Sequence, residues 1–114
     1  MEFKFKNHPA YVLARKFLQL CFLHFEKAGF IQHKELKQMI EDLALKIIVN
    51  TVHLSGQNSE EENSVIKKDL QKNINEIVAL YDVVLEIGII QQKDIYTIET
   101  YLQEIADEIQ ISEK

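Results

Sequence analysis

The feature that most constrains the fold is a pair of apolar-striped segments that meet at Gly88. In both segments large apolar residues recur at steps of three and four, which places them on one face of an α-helix. Gly88 fits the point where a helix ends, because a left-handed backbone costs glycine nothing. The stripe residues are Ile74, Ile77, Tyr81, Val84 and Leu85, then Ile95, Ile98, Leu102, Ile105 and Ile109. The pattern therefore predicts a helical hairpin.

The same spacing predicts four helices over residues 9–28, 34–54, 60–87 and 92–111. Asn7 or His8 is expected to cap the first helix, whose first turn holds Pro9. Ser59 and Glu62 have the spacing of a capping box at the end of a polar loop. Only three glycines and one proline interrupt the chain, which favours long helices. We expect an all-α, antiparallel up-down-up-down four-helix bundle of one domain, residues 1–114, with residues 1–8 as an extended N-terminal arm.

The first predicted helix carries more apolar surface than one partner face covers. Its inward stripe is predicted to hold Tyr11, Ala14, Leu18, Cys21, Phe22 and Phe25. Further apolar residues widen this stripe, which suggests contacts beyond a single subunit. The alternative, a central helix buried within one subunit, is harder to sustain in a bundle of this size. The residues predicted to contact a second copy are Phe3, Phe5, Val12, Leu13, Phe17 and Leu20.

Charge is divided unevenly along the chain, whose formal net charge is −5. Residues 1–54 hold eight Lys and Arg against five Asp and Glu, whereas residues 55–114 hold five against thirteen. This asymmetry is compatible with a surface that faces nucleic acid, with subunits that meet basic face to acidic face, or with ordinary surface charge. If nucleic acid is bound, the candidate phosphate contacts are Lys4, Lys6, Arg15, Lys16 and Lys27.

The sequence contains no catalytic or metal-binding signature. A carboxylate-bridged di-metal bundle needs Glu-x-x-His pairs, and none of the four histidines has a carboxylate three residues away. His24 and His53 are expected at an interface or in solvent. Cys21 lies within an apolar stripe, where a thiol is usually inert, and no glycine-rich phosphate loop or nucleophile elbow is present. We predict no catalytic residue, metal or cofactor.

Cellular location is constrained by cysteine usage and by the lengths of the apolar runs. A lone cysteine cannot form an internal disulfide, and the N-terminus lacks the pattern of a secretory leader. No apolar run approaches the roughly 18 to 20 residues that span a bilayer. We expect a cytoplasmic protein that does not enter the membrane.

Three stretches resemble a bacterial four-helix-bundle family. Residues 77–90, with the sequence IVALYDVVLEIGII, resemble the family's third helix and its Leu-Gly-aromatic-Ile corner, and residues 95–109 resemble its closing helix. Residues 10–14 resemble a segment that usually carries tryptophan where Tyr11 stands, and residues 46–50 lie where the family often has Ser-Ile-Pro-x-Asn. The family includes proteins encoded in intervening sequences of large-subunit ribosomal RNA genes and the accessory variability determinants of diversity-generating retroelements.

The resemblance implies a homopentamer and, for the retroelement members, surfaces that bind nucleic acid and a reverse transcriptase. Our leading hypothesis is a non-enzymatic, homo-oligomeric adaptor or assembly protein. The alternative is a nucleic-acid-binding accessory protein that acts with a reverse transcriptase or ribosomal RNA. The enzyme interpretation is the third, and no motif in the sequence supports it.

Overall fold

The fold comes from a computed structural model that describes residues 3–111. Across this range the protein is all helical and has no strand. A 3-10 turn (Lys4–Asn7) precedes five α-helices, which are α1 (Pro9–Phe25), α2 (Ala28–Gln32), α3 (Lys34–Leu54), α4 (Glu60–Ile87) and α5 (Gln92–Ile111). The four long helices correspond to the four expected from apolar spacing, and α2 is an additional short helix.

The hairpin formed by α4 and α5 has the local structure that its sequence predicts. The Ser59 hydroxyl accepts the Glu62 backbone N–H at 3.1 Å, and the Glu62 carboxylate accepts the Ser59 backbone N–H at 3.3 Å, so the capping box is confirmed. Gly88 follows α4 with φ of 91°, the left-handed conformation that ends the helix. The predicted stripe of α5 is confirmed, since its five residues from Ile95 to Ile109 are all buried.

The first helix is shorter than predicted. It ends at Phe25 rather than at residue 28, because Lys27 has an extended backbone with φ of −68° and ψ of 141°. After this break α2 carries Phe30 into the core, where its ring packs edge-on against that of Phe25 at 5.1 Å. The expected connection over residues 30–33 is therefore largely helical, and the burial of Phe30 accounts for the change of direction.

Gly29 in α2 lies against the corner that follows α4. A Cβ atom at this position would stand 2.6 Å from Cγ1 of Ile89, closer than two carbon atoms can pack. Glycine thus permits α2 to approach the corner between α4 and α5 directly. This contact joins the link after α1 to the link after α4 at one end of the molecule.

The long helices contact one another in a ring, in which α1 and α4 each pack against both α3 and α5. At 1.5 Å per residue the 28 residues of α4 extend about 42 Å. This length is close to the long dimension of the molecule, 43 Å. The core lies inside the ring and draws buried apolar side chains from all four long helices.

The buried face of α1 differs from the predicted stripe. It consists of Ala10, Ala14, Phe17, Cys21, His24 and Phe25. Phe17 was predicted to face another subunit and is fully buried, whereas Phe22 was predicted to face inward and is 45% exposed. His24, expected at an interface or in solvent, is also buried. These predictions were wrong because α1 is apolar on most sides, so spacing alone did not define which stripe faces the core.

The N-terminal arm is not extended where it is described. Lys4–Asn7 form a 3-10 turn, in which the His8 backbone N–H donates to the Phe5 carbonyl at 3.0 Å. The Phe5 ring packs edge-on against Tyr11 at 5.1 Å, which holds the turn on α1. His8 is the residue that caps α1, since its Nδ1 accepts the Ala10 backbone N–H at 3.2 Å. The first two residues of the predicted arm lie outside the described residues.

Candidate interaction surface

Large apolar side chains are exposed together at one end of the molecule. They lie in the last turn of α1, in α2, in the second turn of α3 and in the last two turns of α4. Contacts between Lys37 and Phe25 and between His24 and Tyr81 connect these segments at the same end. We call this set the apolar end, and it comprises Phe22, Leu23, Ile31, Met39, Val83 and Ile87. Leu23 and Ile31 are more than 60% exposed, so the chain's own fold leaves much of this surface in water.

Four of these residues form a groove between helices. Ile31, Met39, Val83 and Ile87, together with half-buried Leu36, line an open cavity of about 580 Å³. Polar residues 32–35 border it where α2 passes into α3. We call this cavity the α3/α4 groove. A cavity lined by large apolar side chains together with polar residues is the usual composition of a surface that binds another protein.

Acidic residues are exposed on the two long helices that form the α3/α4 groove. Asp82 and Glu86 are exposed and immediately precede Val83 and Ile87 on α4. Asp42 is exposed on α3, where its carboxylate accepts a hydrogen bond from the Gln38 side-chain amide at 2.9 Å. Together with Glu35 in the groove lining, these carboxylates make this side of the molecule more acidic than basic, which favours a basic partner.

The outer side of α1 combines exposed apolar residues with cations. Phe22 and Leu23 are exposed near its C-terminal end, and the Phe22 ring rests edge-on against Phe25 at 6.0 Å. Arg15, Lys16 and Lys27 are exposed along the same helix and the link that follows it. We call this surface the α1 outer face. Glu26 is also exposed just before Lys27, so three cations stand against one acid and the face is positive on balance.

The predicted interface residues on α1 and the arm are only partly available to a second copy. Phe3 is exposed, whereas Phe5, Val12, Leu13 and Leu20 are half-buried. Phe17 lies within the core and is therefore not available to contact a second copy. Sequence reasoning missed most of the apolar end, and the signal that would have found it is an apolar residue adjacent to, rather than on, the buried stripe.

All five predicted phosphate-contacting residues are exposed, but they do not form one patch. Lys4, Lys6, Arg15 and Lys16 belong to the turn and the first half of α1, and Lys27 stands beyond its C-terminal end. Lys16 lines a groove of about 360 Å³ that also contains Leu13 and residues of α5.

Two of these cations pair with aromatic rings, an arrangement that the sequence did not predict. The Lys6 ammonium lies 5.2 Å from the centre of the Phe3 ring. The guanidinium carbon of Arg15 lies 5.8 Å from the centre of the Tyr11 ring, and its Nη1 donates to the Tyr11 hydroxyl at 3.2 Å. With Phe5 between Phe3 and Tyr11, these residues form the N-terminal aromatic cluster.

A buried polar cluster joins α1 and α4 beneath the apolar end. The Tyr81 hydroxyl donates to Sγ of Cys21 at 3.2 Å and lies 3.4 Å from Nδ1 of His24. Burial raises the pKa of the Cys21 thiol to about 12 and also raises the pKa of Tyr81. Burial lowers the pKa of His24, although the nearby Asp94 carboxylate acts in the opposite direction. The thiol therefore remains protonated at neutral pH, which makes it a poor nucleophile.

The described residues hold no cluster of metal-ligating side chains. Within residues 3–111, no group of three or more His, Cys, Asp or Glu side chains is placed to bind a metal ion. Among the helices of this range, none combines the length and apolar character needed to cross a membrane. No family model, curated protein or solved structure matches this chain.

Proposed function

We propose that this chain is a non-enzymatic adaptor or assembly protein that acts as a homo-oligomer in the cytoplasm. The observation that carries the proposal is the apolar end, where six large apolar side chains remain exposed in one region. Full burial of each such side chain is worth about 1.5 to 3 kcal/mol. Monomeric proteins rarely leave large apolar patches in water, and association with further copies would cover these side chains.

The proposed subunit is an antiparallel, up-down-up-down four-helix bundle. Contacts between helix ends support this arrangement, because the end of α1 meets the start of α3 through Phe25 and Lys37. Residues near the start of α3 likewise line a groove with Val83 and Ile87 from the end of α4. Short connections between neighbouring helices are typical of this topology. The resemblance to the intervening-sequence and retroelement-accessory family makes a pentamer the assembly we propose.

The oligomeric state tests this proposal directly. We expect light scattering after size-exclusion chromatography at micromolar concentration to return a multiple of the 13.3 kDa chain mass. Replacing Val83 and Ile87 together with Gln should shift the protein towards the monomer. The matched control replaces Val49 and Val65, which are exposed outside the apolar end, with Gln and should leave the mass unchanged. A monomeric wild-type protein would overturn the proposal.

A second candidate function is nucleic-acid binding as an accessory to a reverse transcriptase or ribosomal RNA. The N-terminal aromatic cluster favours it, since Lys6 and Arg15 lie beside Phe3 and Tyr11. Cations contact phosphates, and aromatic rings stack on the bases of single strands. The cluster combines both properties on one exposed part of the chain.

Fluorescence anisotropy with a labelled single-stranded RNA at low salt tests the second function. We expect binding that weakens with added salt and that falls when Lys6 and Arg15 are both replaced with Gln. The control replaces Lys46 and Lys72, which lie on α3 and α4, with Gln at the same cost in charge. Absence of binding at low salt, or an equal loss in both variants, would reject a site at this cluster.

A further inference from the structure

The structure contains two exposed apolar surfaces of opposite charge, the α1 outer face and the α3/α4 groove. We infer that they are the two halves of one heterologous contact, in which the α1 outer face of one copy binds the α3/α4 groove of the next copy. This inference rests on the proposed homo-oligomer and specifies how its subunits meet.

The α1 outer face supplies the side chains that would enter the groove. Phe22 and Leu23 are neighbours in sequence, and successive helical residues diverge by about 100° around the axis. They therefore form a broad apolar edge rather than a single point. The contact with Phe25 supports the Phe22 ring on its own helix, which reduces the entropy lost when the ring is buried against a partner.

The α3/α4 groove supplies a matching depression. Met39 and Ile31 stand on one side, and Val83 and Ile87 stand on the other. Methionine adapts its shape easily to an incoming side chain, which suits a contact with an aromatic ring. All four residues are exposed in the single chain, so this surface is free to bind.

Charge favours contact between unlike surfaces over contact between like surfaces. Arg15, Lys16 and Lys27 accompany the α1 outer face. Glu35 and Lys34 line the groove, and Asp42, Asp82 and Glu86 are exposed on the same two long helices, so these four acids outnumber Lys34 and the half-buried Lys37. A symmetric contact of either surface with itself would bring like charges together, which costs free energy. Binding of one surface to the other brings opposite charges together and leaves one surface of each copy free for a further contact.

A heterologous contact has a geometric consequence. Because each copy uses two different surfaces, every bound pair still presents one free α1 outer face and one free groove. Such contacts continue until a ring closes, or produce an open filament when the rotation does not close. The proposed pentamer is the ring that this contact would form.

Mixing two defective variants tests the inference. The face variant carries Phe22→Gln and Leu23→Gln, and the groove variant carries Val83→Gln and Ile87→Gln. Each pair removes apolar side chains at the centre of the contact, and we expect its self-association Kd to rise at least about tenfold. Each variant alone should therefore be a monomer at a concentration where the wild-type protein is assembled.

The mixture contains one intact surface of each kind, on different copies. We expect it to form a one-to-one heterodimer of twice the chain mass, with no larger species. Failure of the mixture to pair, while the wild-type protein remains oligomeric, would overturn the heterologous contact but not the proposed assembly. Thermal unfolding followed by circular dichroism verifies that both variants are folded.

Cross-linking provides a second measurement that does not depend on weakening the contact. Leu23→Cys and Met39→Cys chains are mixed and treated with a short bismaleimide reagent. The native Cys21 thiol is buried and protonated, so it should react slowly. We expect a cross-linked dimer in the mixture and little in either variant alone. A dimer formed equally well by Leu23→Cys alone would instead indicate a symmetric contact and would overturn the inference.

Discussion

The inner face of α5 and the apolar end contain the same kinds of side chain in opposite environments. Every stripe residue of α5 from Ile95 to Ile109 is buried, whereas Leu23, Ile31 and Met39 are more than half exposed. The α5 residues lose their water when a single chain folds. The side chains of the apolar end stay in contact with water after folding, and they are stabilised by burial only when another molecule covers them. On α5, regular apolar spacing identified the residues that face the chain's own core, whereas Leu23, Ile31 and Met39 each stand next to a buried residue and remain exposed.

The largest effect on stability is expected inside the α5 stripe. Replacing Leu102 with Ala should lower the free energy of unfolding by about 2 to 5 kcal/mol, because its 1% exposed side chain would leave a cavity. Chemical denaturation measures the change. Tyr96→Ala on the same helix is the control, since Tyr96 is 74% exposed and should contribute little. Unchanged melting temperatures for both Ile98→Ala and Leu102→Ala would show that the stripe is misassigned.

A smaller effect is expected at the start of α4, away from the apolar end, where a polar cap stabilises the helix. Ser59→Ala removes the hydroxyl that accepts the Glu62 N–H and should cost about 0.5 to 2 kcal/mol. The control is Ser64→Ala. Ser64 lies within α4, and its replacement should not destabilise the helix, since alanine is the better helix former. Urea titration measures the free energy of unfolding of each variant. Equal stability of the two variants would show that the cap contributes nothing.

The buried polar cluster predicts a dependence of stability on pH. The pKa of His24 is lower in the folded chain than in the unfolded chain, so the unfolded chain binds the proton more strongly. This contribution to stability is fully present above the ordinary histidine pKa of about 6.5 and is lost as pH falls below it. Unfolding at pH 7.5 and 5.5 measures the loss, and His24→Gln should reduce it. Asp94 and Lys27 face the same histidine, and their charges raise and lower its pKa, respectively. Identical pH dependence in the variant would exclude His24 as the cause.

The smallest effect on stability is expected at the apolar end. Met39→Gln should change the stability of the monomer by no more than about 0.5 kcal/mol, because the side chain is 53% exposed. The same substitution should weaken association, which dilution followed by light scattering detects. Unfolding is measured at a concentration where the chain is monomeric, because assembly itself adds stability. A large loss of monomer stability would show that Met39 belongs to the core. The apolar end would then not differ from the α5 stripe in this respect.

Most of the helical architecture was predictable from local sequence. The bounds of α3, α4 and α5 followed from apolar spacing, and the capping box and Gly88 marked the ends of α4 because their chemistry is local. The break at Lys27 was not predictable, since it depends on the burial of Phe30 against Phe25, a tertiary contact.

The candidate surface was only partly predictable. Excess apolar residues on α1 indicated that a second surface exists, but their spacing did not distinguish Phe17, which is buried, from Phe22, which is exposed. The α3/α4 groove needs Ile31 and Ile87 to meet although they are far apart in sequence. Such meetings depend on how the helices pack, and no local pattern contains them.

The close approach of Gly29 to Ile89 has a consequence for how this sequence can change over time. Any side chain at position 29 would collide with the branched carbons of Ile89, whereas a smaller residue at position 89 would make room for it. Position 29 therefore cannot gain a side chain while position 89 remains isoleucine, whereas a smaller residue at position 89 is compatible with glycine at position 29. Among descendants of this gene, a larger residue at position 29 should therefore appear only together with a smaller residue at position 89.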